Sequence, residues 1–148
     1  MASFWYTKYV ERGSYLSGDT RVWSVGNTYG QPGTMQMGPT YLIHRGAAGN
    51  ELSSNLVGTG TMGDVVEMLG LLYPDGSVNI LRSINGGATV AGGLSAANAP
   101  AAAWFDRTFV FNFISGANVG TMAVSRHKAG PLTFNGITRD TIAKARAA

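Results

Sequence analysis

Val65-Val66-Glu67-Met68-Leu69-Gly70-Leu71-Leu72-Tyr73-Pro74-Asp75-Gly76-Ser77-Val78-Asn79-Ile80-Leu81-Arg82-Ser83-Ile84 spells two strands and the turn between them. Pro74 presets φ for the first corner, Asp75 caps its own backbone, and Gly76 accepts positive φ. After the turn, Val78, Ile80 and Ile84 alternate with Ser77, Asn79 and Ser83, the pattern of a strand with one wet face. Arg82 interrupts it on the inner side. Before the turn, Val65–Leu72 is apolar on both faces. Such a strand is central in its sheet or is covered by a partner.

The rest of the chain reads in the same way. Residues 105–114 put Phe109, Phe111 and Phe113 on one face and Asp106, Thr108 and Asn112 on the other. Ser115-Gly116-Ala117-Asn118 is a turn, from which residues 119–126 return as a hairpin partner with Met122 and Val124 inward. Asn135-Gly136, between Phe134 and Ile137, suits a two-residue type I′ turn. Shorter strands are expected at residues 4–10, 21–25 and 40–45. Residues 138–148 predict a short helix capped by Thr138, since Ala, Lys and Arg propagate helices well. The 21 glycines argue against long helices. The expectation is a single β domain over residues 1–148. Its class is all-β, an antiparallel sandwich or barrel of about seven to nine short strands with extended loops. Its predicted core is Val78, Ile80, Phe109, Phe111, Phe113, Met122 and Val124.

Charge is scarce. Asp, Glu, Lys and Arg make up 13% of the chain, against about 25% in ordinary soluble domains. None occurs in residues 22–43, 83–105 or 108–125. Interface cores are depleted in charge and enriched in Met and aromatics, so much of this surface is expected to be covered by other subunits. Two long uncharged segments, residues 28–40 and 86–103, are expected to be contact arms ordered by neighbouring chains. Trp5, Tyr6 and Tyr9 of the aromatic start, with Met35 and Met37 of the first arm, are the partner-contact candidates. The net charge is +3, and the excess sits at the end of the chain, where Arg126, Lys128, Arg139, Lys144 and Arg146 face only Asp140. Residues 138–148 read as a solvated basic tail, which argues against nucleic acid as a partner.

No catalytic constellation emerges, and no enzyme, cofactor or metal site is expected. Gly58-Thr59-Gly60-Thr61-Met62-Gly63 matches G-x-G-x-x-G, but the residues after it reach Pro74 and Gly76 too soon for a crossover helix. His127 sits between Arg126 and Lys128 with no orienting acid, and His44 lies beside Arg45. Asp64 and Glu67 fall on opposite faces of one strand. The chain has no cysteine, which excludes disulfides and thiol chemistry. The opening residues carry no secretory pattern, and residues 83–105 are too polar for a membrane span.

A cysteine-free, Gly-rich, charge-poor β chain that starts Ser3-Phe4-Trp5-Tyr6 and carries a Gly/Ala-rich segment at 86–103 resembles small virion proteins of tailed bacteriophages. The resemblance is one of composition over the whole chain. It implies a capsid decoration, accessory or tail-associated subunit, made in the host cytoplasm and located in the virion. Its partners would be itself, as a homo-oligomer, and other virion proteins such as a major capsid or tail protein. The alternative class is a glycan-binding β-sandwich using Trp5, Trp23 or Trp104.

Overall fold

The computed structural model describes residues 2–12, 22–25, 35–45, 51–58, 60–95, 109–111 and 122–148. The elements in chain order are β1 (Ser3–Glu11), β2 (Trp23–Val25), β3 (Met35–Met37), β4 (Tyr41–Arg45), β5 (Glu51–Asn55), β6 (Val65–Leu72), β7 (Val78–Ile84), β8 (Val90–Ala91), β9 (Phe109–Phe111), β10 (Met122–Pro131), β11 (Thr133–Phe134), β12 (Ile137–Thr138) and α1 (Ile142–Ala147). The strand count exceeds the expected one through pieces of two or three residues. All described pairings are antiparallel.

The deciding hairpin forms as its residues dictate. Gly76 takes φ 85°. The Asp75 carboxylate accepts from the Ser77 N–H at 3.0 Å and from its hydroxyl at 2.6 Å. β6 is the middle strand of a five-stranded sheet ordered β10-β1-β6-β7-β8. A second five-stranded sheet, β5-β4-β3-β2-β9, packs on one face of the first. Successive side chains point to opposite faces, so each residue's register decides which layer it enters.

Between the sheets lie Trp5, Tyr9, Val66, Met68, Leu72, Val78 and Ile80 from the first and Trp23, Met35, Met37 and Leu42 from the second. Trp5 stacks on Trp23 across the gap, with ring centroids 5.2 Å apart. Gly70 lies opposite Trp5 in register. A Cβ there would come within 3.3 Å of Trp23 and 3.4 Å of Leu42, so glycine makes room for the second sheet. The other face of the first sheet has its own core: Phe4, Tyr6, Leu69 and Leu71 are covered by Leu132 and by Ile142 and Ala145 of α1. β6 is therefore apolar on both faces because it is central and the chain's own helix covers its back.

Arg82, inward on β7, is buried with its guanidinium bonded to main-chain carbonyls. It donates to Val57 O at 2.9 Å and to the oxygens of Gly58 and Pro39, stapling the loop after β5 and the turn before β4 to the first sheet. Unbonded, such a charge would be costly to bury.

Four expectations need correction. Phe109–Phe111 and Met122–Pro131 are not hairpin partners: the former pairs with β2 in the second sheet, the latter with β1 in the first. A turn signal reverses the chain but does not say which sheet the next strand joins. Second, the helix is capped by Thr141, whose hydroxyl accepts from Lys144 N–H at 3.2 Å. Thr138 is instead held in β12 by its pairing with Thr133. Third, Met35–Met37 is a strand inside the domain, not an arm. Fourth, residues 86–95 of the second expected arm do not reach away from the domain, since Gly92 N–H bonds Ile80 O at 2.8 Å and Ser95 N–H bonds Val78 O at 3.0 Å, though Val90 and Leu94 stay exposed. Residues 28–34 and 96–103 lie outside the described residues. Of the predicted core, Val78 and Ile80 are fully buried and Val124 is half-buried against the inter-sheet cluster. Phe109, Phe111 and Met122 are in strands, and Phe113 lies outside the described residues.

Candidate functional site

After β10 the chain reverses over Leu132 into β11, the Asn135-Gly136 turn and β12. Asn135 and Gly136 both have positive φ, 49° and 74°, the signature of the expected type I′ turn. Phe134 and Ile137 face each other across the hairpin. They are 52% and 57% exposed, so two large apolar side chains sit side by side in solvent. On the other face the Thr133 and Thr138 hydroxyls are 3.1 Å apart.

The hairpin stands on a fixed base. Leu132 is buried, and its N–H bonds Ala2 O at 3.0 Å. Arg139 N–H closes the loop on Leu132 O at 2.7 Å. The Arg139 guanidinium lies 5.4 Å from the Phe4 ring centre and 5.3 Å from that of Phe134, linking the exposed ring to the sheet by cation–π contact. Next, α1 docks by charge as well as by Ile142 and Ala145. Arg146 grips Glu67 of β6 through one guanidinium edge, its Nε and Nη2 donating at 2.7 and 2.9 Å, and the Tyr6 hydroxyl donates to the same carboxylate. Lys128 donates its ammonium to the main-chain oxygens of Arg146 and Ala148.

The electrostatics follow. Burial raises the Glu67 carboxyl, but hydrogen bonds from Arg146 and Tyr6 and the charges of Arg146 and Lys8 outweigh it and hold it below the usual carboxylate range. Burial, then the bond to Glu67 and its charge, push the Tyr6 phenol up to about 12, although Arg146 pulls the other way. This arrangement is a lock: a saturated carboxylate beneath a docked helix. The sequence signal for it was Glu67, a lone charge in a strand apolar on both faces, which demands a buried counter-charge.

The partner-contact candidates lie elsewhere. Trp5, Tyr9, Met35 and Met37 are buried between the sheets, and Tyr6 is buried beneath the helix. Their contact surfaces face their own chain, because each falls on an inward register position or under α1. Trp5 and Trp23 cover each other, so neither offers a face to a glycan; Trp104 lies outside the described residues. The G-x-G-x-x-G segment leads into strand β6 rather than a helix. Its turn is organised by Asp64, which accepts from the Thr61 N–H at 2.8 Å and hydroxyl at 3.0 Å and from the Asn85 amide at 2.7 Å. Those bonds hold the Asp64 carboxyl below its usual range. His127 lies opposite Thr7, its Nδ1 2.9 Å from the Thr7 hydroxyl, and burial lowers its pKa to about 4.

Among the described residues no group of three or more His, Cys, Asp or Glu side chains could hold a metal ion, and no helix is long and apolar enough to cross a membrane. Comparison with family models, with curated proteins and with solved structures returns no match for this chain.

Proposed function

We propose that the chain is a structural subunit of a viral particle, a capsid decoration, accessory or tail-associated component, working by protein–protein contact. The observation that carries this is the Phe134–Ile137 hairpin. It presents paired apolar side chains to solvent, on a base fixed by Arg139, Leu132 and the Glu67–Arg146 lock. Aromatic and apolar anchors held rigidly at a surface lose little entropy on binding and are the usual hot spots of interfaces. The absence of charge from residues 83–105 and 108–125 supports the same reading. The virion assignment itself rests on the compositional resemblance.

The test is the mass of the intact chain by size-exclusion chromatography with light scattering. Wild type should form a symmetric oligomer burying more than about 1,200 Å² in total. The Phe134→Asp/Ile137→Asp double variant should keep its melting curve, since both side chains are already half in water, and should fall to a smaller species. A wild-type chain that stays monomeric at high micromolar concentration and binds no other component of its particle would overturn the proposal.

A further inference from the structure

β10 is the outermost strand of the first sheet among the described residues, paired on one side with β1. Alternate residues of such a strand turn their N–H and C=O groups away from the sheet, where another strand can pair with them. Ala123, Ser125, Arg126 and Ala129 along it are exposed. The register sets Arg126 beside Lys8 and Lys128 beside Tyr6 on the outer face, with Glu67 next to Lys8 on the far side. Arg146 comes down onto Glu67. Arg146 and Lys8 act on the one carboxylate of this face, which is already taken by Arg146 and Tyr6, while Arg126 and Lys128 lie on the same face at the outer strand. Arg126 makes no hydrogen bond or ion pair among the described residues.

We infer that the β10 edge accepts an extended acidic segment of a partner protein as a sixth strand, with its carboxylates on the face that carries Arg126 and, beside it in register, Lys8. Main-chain pairing would hold the segment, and the cations would select it. A second copy of β10 is disfavoured in the register that overlaps the strand most fully: antiparallel pairing centred on His127 sets Arg126 against Lys128 of the second copy, twice, and like charges directly opposite are destabilising. The bulge where Lys8 pairs with Arg126 and Tyr9 with Val124 also twists the edge away from flat self-pairing. Single-stranded nucleic acid needs ring faces on which bases stack, and the exposed residues along this strand are Ala, Ser, Arg and Pro. The inference concerns a different surface from the hairpin and stands whether or not the chain self-assembles.

The test uses the full chain and a fluorescent peptide of about eight residues with Glu alternating with Thr and Val. Three controls accompany it: the same composition with the Glu residues in one block, a Lys-for-Glu version, and a labelled single-stranded DNA. The alternating peptide should bind saturably and slow hydrogen exchange of the β10 amides. Arg126→Glu should weaken it about tenfold, the size of one charge-assisted hydrogen bond, with an unchanged far-UV spectrum. Should that variant misfold, Arg126→Gln must weaken binding in the same direction. Four results would each overturn the inference: no binding of the alternating peptide, equal binding of the blocked peptide, DNA bound more tightly than peptide, or binding without protection of β10.

Discussion

Replacing Glu67 with Gln tests whether the outer core is locked by charge or merely by apolar contact. The Glu67 side chain is 8% exposed and that of Arg146 is 47% exposed. The two bonds between them are short, at 2.7 and 2.9 Å. Buried charge-assisted bonds contribute about 1.5–3 kcal/mol each, but half-exposed Arg146 is screened, which pulls the pair toward the range of surface ion pairs. Glutamine keeps an oxygen for the Tyr6 hydroxyl and turns an N–H against Arg146. The expected loss is about 2 kcal/mol, and a double-mutant cycle with Arg146→Gln should give a non-zero favourable coupling. Urea unfolding at neutral pH measures both. The pH dependence adds a check of sign. Glu67 is held below its ordinary 4.5, so its contribution is complete above that value and is lost as pH falls through the depressed one. The gap between wild type and Glu67→Gln should therefore close in acid. Tyr6 behaves oppositely. Its phenol is raised from 10.0 to about 12, so its contribution is present below pH 10.0 and is lost as pH climbs toward 12. Equal stability of wild type and Glu67→Gln within about 0.3 kcal/mol, with zero coupling, would refute the lock.

Met37→Ala and Met68→Ala, both fully buried between the sheets, should each cost about 2–5 kcal/mol in urea melts, whereas exposed Met62→Ala should stay within about 0.5 kcal/mol. A neutral Met37→Ala would return residues 35–37 to the contact-arm assignment. His127 is neutral in the fold because burial lowers its pKa from 6.5 to about 4; its contribution is complete above 6.5 and is lost as pH falls toward 4. Screening of the half-buried ring trims this to about 1–2 kcal/mol, and His127→Gln should flatten the stability curve in that window. Gly70→Val would drive methyl groups toward Trp23 and Leu42, costing about 1–3 kcal/mol and changing the near-UV signal of the stacked tryptophans; an unaltered spectrum would show that the sheets do not close over Gly70.

The all-β class and the deciding hairpin were legible because local chemistry alone determines them. Tyr73-Pro74-Asp75-Gly76 and Asn135-Gly136 act over a few residues, and the alternation of Val78 and Ile80 needs no knowledge of the partner sheet. What failed depends on distant pairing. Phe109–Phe111 and Met122–Pro131 join different sheets, and nothing within either strand encodes that choice. Met35 and Met37 between Gly33 and Pro39 read as a loop by their flanks, yet β3 gains its two neighbours from β2 and β4. The lock was not read from the sequence, where Glu67 was weighed only as half of a carboxylate pair with Asp64; its partner lies at Arg146, separated from it by most of the second half of the chain.

In residues 22–25 and 35–43 the scarcity of charge has an internal cause, because Trp23, Met35, Met37 and Leu42 fill the space between the sheets and Gln36 is buried as well. Those residues therefore cannot argue for an interface. The exposed Phe134 and Ile137 lie outside all three charge-free runs, within the part of the chain richest in cations. Those cations were read as a solvated tail, yet four of the five are engaged within the chain. Arg139 lies on two rings, Lys144 pairs with Asp140, Arg146 holds Glu67 and Lys128 holds the last turn of α1. Their work is to fix the helix and, through it, the apolar hairpin. Only Arg126 is left over, and it sits on the one long strand edge that the described fold leaves open. Composition measured how much charge the chain has; the fold shows which charge is spare, and the spare charge marks a second place where a partner can be selected.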